Sequence, residues 1–580
     1  MMDIRTYLAE KRTVLFDGAM GTCYAARHPE ESCELADLRR PEEIREIHRA
    51  YLDAGCQAIT TNSFALSAAM SKPGEAKEIV DAACRIALEA AEPYGAWVFA
   101  DIGPAPAGNR KVYQKQADWF LQAGIRHFLL ETLPSDEGVP ELARHLKARC
   151  PDAFLIVSYA VAYDGCTREG FSGRELFRNT AALPEVDAVG FNCVSGPHHL
   201  LEYIQHLDLD GAALSVMPNA GYPTVLGRRT VYQGTPEYFG RKLAEIAQAG
   251  AVIVGGCCGT TPTHLASAAK ALAKPRNLLP AQPAGKSEAR PAPEKNPLAD
   301  KLDAGRRVIA VELDPPADDQ IGFFMEGVQA LRRAGADAVT IADNPIGRPR
   351  ADSCLLACKI KRELGAEPLP HMTCRDRNRN AAKSLLLGLS IQGVHNVLLV
   401  TGDPIPSEDR DEVKSVFNFN SRKLIRYVSA LNQNLRTPFR VFGALNVNAK
   451  NFDIQLRIAQ EKEEAGAAGF LTQPILSPEA LENLKLARKS LHGAILGGIY
   501  PVVSYRNACF LKNEIAGMHI CDEIAERYRD LDRDAAEELA VTISTQMAKM
   551  IAPYTNGLYL MTPFKRVTLM TRILGQVRYC

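Results

Sequence analysis

Two adjacent cysteines on a glycine-rich turn carry the strongest chemical signal in the sequence. The segment VIVGGCCGTTP places Cys257 and Cys258 where an apolar run ends and the next helix begins. Neighbouring residues on a regular strand point to opposite faces, whereas a glycine-rich turn can aim both thiols at one point. Cys193 ends a similar apolar run. Three thiolates around one point suit zinc, and an open fourth position would make the site catalytic.

An alternative explanation is that these cysteines are inert core thiols, because free cysteine is among the most buried residue types. For Cys193 alone, this alternative is favoured. For Cys257 and Cys258 it is not, since a tightly turning surface loop is a poor place to bury two thiols. We therefore predict a zinc site built from all three cysteines.

Two acidic residues, one on a turn and one inside an apolar run, are candidates to act together with the cysteines. Asp17 ends the first apolar run in the segment DGAMGT, where a helix-capping role explains it about equally well. Glu131 lies inside the apolar run FLLET, where a carboxylate is costly unless it binds a cation or accepts hydrogen bonds. Two acids beside a thiolate-bound metal suit a substrate that carries both an ammonium group and a thiol.

The composition is that of an ordinary globular protein, and the length exceeds what one hydrophobic core accommodates. The 580 residues include 68 Lys and Arg and 68 Asp and Glu, so the net charge is zero and does not favour binding to nucleic acid or to a membrane surface. No apolar run is long enough to span a bilayer, and the first residues do not read as a signal peptide. The 15 cysteines are therefore expected to be reduced thiols in a cytoplasmic protein.

The elements that must position the cysteines recur with a regular rhythm through about the first 270 residues. Eight apolar runs alternate with helical stretches, and the runs begin at Val14, Ala58, Trp97, His127, Phe154, Ala188, Ala213 and Val252. This alternation predicts a (β/α)8 barrel, whose active site lies at the carboxyl ends of its strands. The cysteines follow the sixth and eighth runs, so their strand ends can converge over the barrel mouth.

A second set of eight runs follows a change in composition. Prolines, alanines and charges dominate 274–300, which predicts a stiff linker between domains at 1–273 and 301–580. The later runs begin at Val308, Ala338, Pro370, Asn396, Val441, Gly469, Ala494 and Gly557. The predicted fold class is α/β, with two tandem (β/α)8 TIM barrels joined by a Pro-rich linker.

Four segments of the first half together resemble the zinc-dependent homocysteine S-methyltransferase family: DGAMGT, GFNCVSGP, PNAGYP and GGCCGTTP. The resemblance implies that the three cysteines bind zinc and that the thiol of homocysteine takes the open position. It also implies that Asp17, the backbone of Gly18 and Glu131 hold the amino-acid part of the substrate. Zinc lowers the thiol pKa, so that a nucleophilic thiolate exists at neutral pH.

Polar side chains also end several runs of the second half. Glu312 ends the first of them, and Asp403 and Gln473 follow the fourth and sixth. Taken alone, Glu312 is slightly better explained as a buried acid with satisfied hydrogen bonds. No Gly-x-Gly-x-x-Gly follows any run, so a Rossmann-type nucleotide site is not supported.

The segments VELDPP, HMTC, LVTGDP and FLTQP together resemble the catalytic barrel of methylenetetrahydrofolate reductase, a flavoprotein, over roughly residues 300–580. The resemblance implies bound FAD and the use of NAD(P)H. Glu312 would be the general acid that protonates N10 of the folate, which opens the five-membered ring to an iminium that accepts hydride. Asp403 would lie between the flavin and the folate, and Gln473 would grip the pterin.

Further positions follow from the same resemblance. Thr340, His371 and Lys462 match flavin-contacting positions, and Tyr505 takes the place of an aromatic side chain that packs against the folate. The sequence departs from the family at Thr401, where a common form has arginine before Gly-Asp. It departs again where LNVN replaces a Tyr-Pro-containing loop that helps to hold flavin and nicotinamide. The choice between NADH and NADPH is therefore left open.

Together the two resemblances imply a bifunctional cytoplasmic enzyme of methionine and one-carbon metabolism. In one alternative, the first barrel senses homocysteine or zinc and regulates the reductase. In another, the chain is a non-enzymatic scaffold that binds no flavin. The expected partners are homocysteine, a methyl donor and methylenetetrahydrofolate, with neither nucleic acid nor membrane. A homo-oligomer and a corrinoid protein acting in trans are both left open.

The methyl donor is not revealed by any motif. 5-Methyltetrahydrofolate is a poor direct donor because its leaving group is an amine, and enzymes commonly relay its methyl group through cobalamin. The two predicted barrels use the chain strand by strand, so we expect no cobalamin-binding domain within it. A sulfonium compound such as S-methylmethionine or S-adenosylmethionine is therefore the expected direct donor.

Overall fold

The chain folds into two compact units, Met1–Ala289 and Arg290–Cys580. A computed structural model describes residues 2–10, 12–66, 73–106, 111–226, 229–273, 292–405, 413–515 and 518–578. Each unit is built on eight parallel strands surrounded by helices, which confirms the predicted α/β class with two tandem barrels. Most of the predicted linker falls in 274–291, outside the described residues, so the linker and the exact domain limits stay predictions.

The first unit contains a nearly closed barrel. Its eight parallel strands follow the order β1-β10-β7-β6-β5-β4-β3-β2, and a parallel bridge between Phe16 and Ala58 joins the two ends of this order. The barrel strands are β1 (Val14–Leu15), β2 (Ala58–Thr60), β3 (Trp97–Ile102), β4 (His127–Leu133), β5 (Phe154–Tyr159), β6 (Ala188–Asn192), β7 (Leu214–Met217) and β10 (Ala251–Val254). An antiparallel hairpin, β8 (Pro223–Leu226) and β9 (Arg229–Tyr232), is inserted after β7. This hairpin was not predicted.

Apolar packing on both faces of the strands explains their continuous apolar runs. Phe16, Phe99 and Ile156 pack together in one cluster, and all six positions of β3 are buried. The α-helices are Ile4–Ala9, Met20–Ala25, Ala36–Arg39, Pro41–Asp53, Pro73–Ala91, Lys111–Gln122, Val139–Arg149, Gly173–Ala181, Pro197–Gln205, Pro236–Gln248 and Pro262–Leu272. A strand that is covered on both faces has no polar face, which is why period-two alternation is missing from these runs.

The helix Pro41–Asp53 shows how the outer layer is built. Proline stands at the first position of the helix, where no intrahelical hydrogen bond from an N–H group is lost. Two glutamates in the first turn interact favourably with the positive end of the helix dipole. Ile44, Tyr51 and Leu52 recur at helical spacing and are buried against the barrel. Burying one such side chain contributes about 1.5–3 kcal/mol.

The second unit is a closed barrel. Its strands are β11 (Val308–Glu312), β12 (Ala338–Ile341), β13 (Pro368–Thr373), β14 (Asn396–Val400), β15 (Arg440–Leu445), β16 (Gly469–Pro474), β17 (Ala494–Ile499) and β18 (Gly557–Met561). Its α-helices are Pro297–Asp303, Gly322–Ala334, Ser353–Leu364, Arg379–Ile391, Ser421–Asn432, Phe452–Glu464, Pro478–Ser490, Tyr505–Glu514, Asp522–Glu526, Arg533–Ile551 and Val567–Val577. In register, Glu312 is paired with Thr340 on β12 and with Met561 on β18. The closure of the barrel therefore puts the exits of β18, β11 and β12 side by side.

The described helices include none that is both long enough and apolar enough to cross a bilayer.

Candidate active sites

The three predicted cysteines converge at the carboxyl ends of β6 and β10. Their sulfur atoms all lie within 4.8 Å of one another, and the Sγ atoms of Cys193 and Cys258 are 3.7 Å apart. Tetrahedral zinc with Zn–S bonds of about 2.3 Å holds its sulfurs about 3.8 Å apart. The spacing therefore fits a zinc ion bound by three thiolates.

The strand β7 supports both cysteine segments although it supplies none of the three sulfurs. The backbone N–H of Cys193 donates to Met217 O at 3.2 Å, and that of Cys257 donates to Pro218 O at 2.9 Å. The N–H of Ala220 donates in turn to Cys258 O at 3.0 Å. These bonds fix the backbone of the two strand exits, and with it the directions of the thiols.

A glycine is required at the turn that follows the cysteine pair. Gly259 has φ 77°, and a Cβ atom there would lie 2.2 Å from the ring of Tyr232 at the end of the hairpin. Within the cluster, hydrogen bonds from Cys193 and Cys257 lower the pKa of the Cys258 thiol to about 3. The arrangement thus stabilises a thiolate, the form of cysteine that binds zinc.

Glu131 is joined to the cysteine cluster through Asn192. The Nδ2 atom of Asn192 donates to Glu131 Oε2 at 2.6 Å and lies 3.7 Å from Cys257 Sγ. Burial raises the pKa of Glu131 to about 8, and negative charge at Cys258 adds to this effect. A cationic group placed here would favour the ionised carboxylate.

Asp17 and Gly18 occupy the neighbouring exit of β1. The carboxylate of Asp17 accepts a hydrogen bond from Thr60 N at 2.9 Å, and burial raises its pKa to about 7. A Cβ atom at position 18 would lie 2.4 Å from Thr260 Oγ1, so the close approach of the β10 exit requires glycine there. The structure therefore brings Asp17 and Gly18 together with the turn that carries two of the cysteines.

Asp101 is a third acid of this site that the sequence reasoning missed. It lies in β3, is 7% exposed, and its Oδ1 atom has no hydrogen-bond partner in the described part of the chain. Burial raises its pKa well above the ordinary value, and the charges of Glu131 and Asp17 add to this effect. Like Asp17, Asp101 ends an apolar run, a pattern that could have identified it. Within the part of the chain that the structure describes, none of these three carboxyl groups forms an ion pair, an arrangement that fits the ammonium group of an amino acid.

In the second unit, Glu312 ends β11 in contact with two side chains. The hydroxyl of Tyr559 on β18 donates to Glu312 Oε2, and His371 Nε2 lies 3.7 Å from the same oxygen. Burial raises the pKa of Glu312 to about 8, and the charge of Asp314 adds to this shift. At pH 7 most of this carboxyl group is protonated, as a general acid requires. Tyr559 was not predicted, since nothing in its apolar run marks it.

Two polar atoms near Glu312 form no hydrogen bond within the described ranges. Thr340 in β12 and His371 in β13 are buried, and Thr340 Oγ1 and His371 Nε2 have no partner at hydrogen-bond geometry among the described residues. Burial lowers the pKa of His371 to about 4, so its ring is neutral at pH 7. Buried polar groups are normally hydrogen-bonded. A bound molecule with donor and acceptor atoms would satisfy both positions.

Lys462 lies on the helix Phe452–Glu464, and Gln473 lies on β16, the strand that follows this helix. The Nζ atom of Lys462 donates to Ala444 O at 2.6 Å, and burial lowers its pKa to about 8. Gln473 is half-buried near the end of β16. The loop that departs from the family pattern is tied to the same strand, because Asn448 Nδ2 donates to Pro474 O at 2.9 Å.

Asp403 and Tyr505 have surroundings that differ from those of Glu312. Asp403 is exposed after β14, and its Oδ2 atom accepts a hydrogen bond from Ile346 N at 2.9 Å. The ring of Tyr505 is covered by the guanidinium of Arg529 at 4.5 Å, and its hydroxyl bonds to Glu526. The folate-binding role of Tyr505 stays a prediction.

Comparison with known proteins assigns each unit to a family. Residues 14–272 match the homocysteine S-methyltransferase family, and residues 297–578 match the methylenetetrahydrofolate reductase family. The methionine synthase of Mycobacterium tuberculosis (strain ATCC 25618 / H37Rv) is 29% identical over 307 residues, which are 45% of this chain and 25% of that protein. That of Mycobacterium leprae (strain TN) is 30% identical over 316 residues, 47% and 25% of the two chains. The match thus spans about a quarter of the length of these relatives.

Among solved structures, the chain is similar to the homocysteine methyltransferase MmuM from Escherichia coli. The metallated form is 24% identical with a TM-score of 0.39, and the alignment covers 46% of this chain and 99% of that one. The oxidized form is 25% identical with a TM-score of 0.39, with coverages of 46% and 98%. The two family matches confirm both resemblances seen in the sequence. The chain therefore joins a homocysteine S-methyltransferase domain to a methylenetetrahydrofolate reductase domain, and both domains belong to enzyme families.

Proposed function

We propose that the chain is a bifunctional enzyme that methylates homocysteine to methionine and reduces 5,10-methylenetetrahydrofolate to 5-methyltetrahydrofolate. The first reaction would use zinc in the first unit, and the second would use FAD and NAD(P)H in the second unit. The observation that carries the proposal is the convergence of three thiols with buried carboxyl groups at one barrel mouth. A single site of this kind can hold both ends of homocysteine.

In the first unit, the three cysteines would hold the zinc ion, and homocysteine sulfur would fill the fourth position. Zinc supplies a Lewis acid that lowers the pKa of the bound thiol. Asp17, Asp101 and Glu131 would bind the substrate ammonium group, which would explain why these acids form no ion pair among the described residues. The backbone at Gly18 would face the same part of the substrate. These contacts orient the sulfur toward the methyl donor.

In the second unit, the protonated carboxyl group of Glu312 would give its proton to N10 of the folate. The Tyr559 hydroxyl holds this carboxyl group in place. Thr340 and His371 would offer the heteroatoms of a flavin ring two polar atoms that have no hydrogen-bond partner among the described residues. Bound FAD would supply the hydride that reduces the folate. Asp403, Gln473, Lys462 and Tyr505 keep the roles that the family resemblance implies.

The cofactors of the purified chain test the proposal. We expect one zinc ion per chain by elemental analysis and the absorption spectrum of a bound flavin, together with NAD(P)H-dependent reduction of methylenetetrahydrofolate. A colourless protein without flavin would contradict the reductase assignment and support a scaffold. Methyl transfer to homocysteine from any donor would exclude the alternative in which the first unit only senses homocysteine or zinc and regulates the reductase.

The methyl donor is predicted to be a sulfonium compound. S-Methylmethionine and S-adenosylmethionine release a neutral sulfide, which is a far better leaving group than the amine of 5-methyltetrahydrofolate. Proximity of the two domains raises effective concentration but does not improve that leaving group. With purified chain and homocysteine, we expect methionine from a sulfonium donor and little or none from 5-methyltetrahydrofolate. Methionine is measured by chromatography with each donor in turn.

Two outcomes of the donor assay separate the alternatives. If 5-methyltetrahydrofolate works only after a methylated corrinoid protein is added, then a corrinoid carrier acts in trans. Robust methionine formation from 5-methyltetrahydrofolate without any corrinoid would contradict the prediction and imply direct transfer from folate to homocysteine.

A further inference from the structure

Arg375 is a buried cation at the exit of β13, and its donors converge on two loops. Its side chain is 2% exposed. The Nε and Nη2 atoms donate to the Asp376 carboxylate at 2.8 and 2.7 Å, and Nη1 donates to the backbone oxygen of Asp403 at 2.8 Å. Burying a guanidinium is costly unless it is paired and hydrogen-bonded. Here the bidentate ion pair with Asp376 offsets the cost of burial, and the Nη1 atom remains available to donate to Asp403.

The Arg375–Asp376 pair also holds the exit of β12. Asn344 Nδ2 donates to Asp376 Oδ2 at 3.1 Å, and Arg375 Nη2 approaches Asn344 O at 3.5 Å. Two residues further, Ile346 N donates to the Asp403 carboxylate at 2.9 Å. Asp403 is therefore held twice, at its backbone oxygen by Arg375 and at its carboxylate by the loop that Arg375 and Asp376 anchor.

The β12 exit stores backbone strain at the same place. Asn344 and Ile346 have φ values of 47° and 56°, in the left-handed region that β-branched residues avoid. Such a conformation is strained and persists only where surrounding contacts enforce it. One of the contacts that hold this loop is the hydrogen bond from Ile346 N to the carboxylate of Asp403.

Thr401, which precedes the Gly402-Asp403 turn, cannot supply a cation to that turn. Its Oγ1 atom instead accepts a hydrogen bond at 3.3 Å from Ser421 N, at the start of the helix Ser421–Asn432. The guanidinium that reaches the turn therefore comes from the neighbouring strand exit. We propose that Arg375 is a positioning residue that sets the place of the Asp403 carboxylate for reduction of the folate. This inference rests on the proposed reductase function.

Arg377 provides a matched control two residues along the same loop. It donates to Asp343 at 2.5 Å and to Asp352 at 2.6 Å. Asp343 binds Thr373 N, and Asp352 caps the helix Ser353–Leu364. Among the described residues, the ion pairs of Arg377 are thus made with Asp343 and Asp352 and not with Asp403.

A double-mutant cycle on the full flavin-loaded chain tests the proposal. We expect Arg375→Met to slow reoxidation of reduced flavin by methylenetetrahydrofolate on the order of tenfold to a hundredfold, since small misplacements of reacting groups cost this much. The same loss should be present in Asp403→Asn, and the double variant should be no slower than Asp403→Asn alone. Arg377→Met should lower the melting temperature but leave this rate close to that of the unchanged chain. The flavin midpoint potential should shift in the same direction in Arg375→Met and Asp403→Asn.

Multiplicative losses in the double variant would overturn the inference, as would an equal loss in Arg377→Met. If Arg375→Met does not fold, Arg375→Lys takes its place, because lysine keeps the charge but lacks the planar fork. If the unchanged chain reduces the folate but the rate losses of the two single variants multiply in the double variant, this inference alone is rejected. An unchanged chain that binds no flavin would reject the proposed reductase function and this inference together.

Discussion

Replacing both Cys257 and Cys258 by serine should remove the zinc and abolish methionine formation, while the flavin content of the chain stays unchanged. Serine is a poor zinc ligand at neutral pH because its hydroxyl group remains protonated. Without the metal, the homocysteine thiol loses a Lewis acid worth several kcal/mol, so methyl transfer should fall on the order of a thousandfold or more. Elemental analysis and methionine formation are measured on the same preparation.

Cys150→Ser is the matched control for this variant. Cys150 is a half-buried free thiol of the same unit, at the end of the helix Val139–Arg149. The change is chemically identical but lies outside the cluster, so zinc content and methyl transfer should remain. A full complement of zinc in the Cys257→Ser, Cys258→Ser variant would contradict the assignment of these thiols as metal ligands.

Replacing Glu312 by glutamine should separate the two half-reactions of the second unit. Glutamine keeps the shape of the side chain but has no acidic proton, so reduction of methylenetetrahydrofolate should fall on the order of a hundredfold or more. Electron transfer from NAD(P)H to flavin and on to an artificial acceptor should continue, because it needs no proton donor at N10. Stopped-flow absorbance of the flavin follows each half-reaction separately.

The pH profile provides an independent check on Glu312. Burial raises its pKa to about 8, so the acidic form dominates at pH 7 and is lost as the pH rises through 8. Folate reduction should therefore decline across that range in the unchanged chain, and the variant should lack this decline. Glu326→Gln, on the exposed surface of the following helix, should behave like the unchanged chain. A parallel fall in flavin reduction and folate reduction would refute the general-acid role.

The barrel strands were predictable because each is a continuous apolar run that is covered on both faces. The hairpin of β8 and β9 was not, since each of its strands has only four residues, too few to stand out as a pattern in the sequence. The apolar run at Val252 was predicted to end at the glycine-rich turn that carries the cysteines, and β10 ends at Val254. The glycines release the backbone there, which agrees with the argument that both thiols need a turn.

The candidate sites were predictable only where a residue type is unusual in its sequence context. The cysteine pair and Glu131 stand out locally, and the structure brings them together. Asp101 ends an apolar run, a signal that the sequence reasoning missed, whereas Tyr559 became recognisable only through its contact with Glu312. The roles of Arg375 and Arg377 depend on which acid each one reaches, and Asp403 lies 28 residues from Arg375 along the chain. Pairing across strand exits cannot be inferred from spacing alone.

The backbone bonds from β7 to the cysteine segments have a consequence for the loading of the proposed zinc site. In a zinc finger the ion orders its own ligands, so metal binding and folding are one process. Here Met217 and Pro218 order the thiols by hydrogen bonds that need no ion. Loss of a bound zinc ion is therefore not expected to melt the barrel, although zinc that binds only the folded state would still add to its stability.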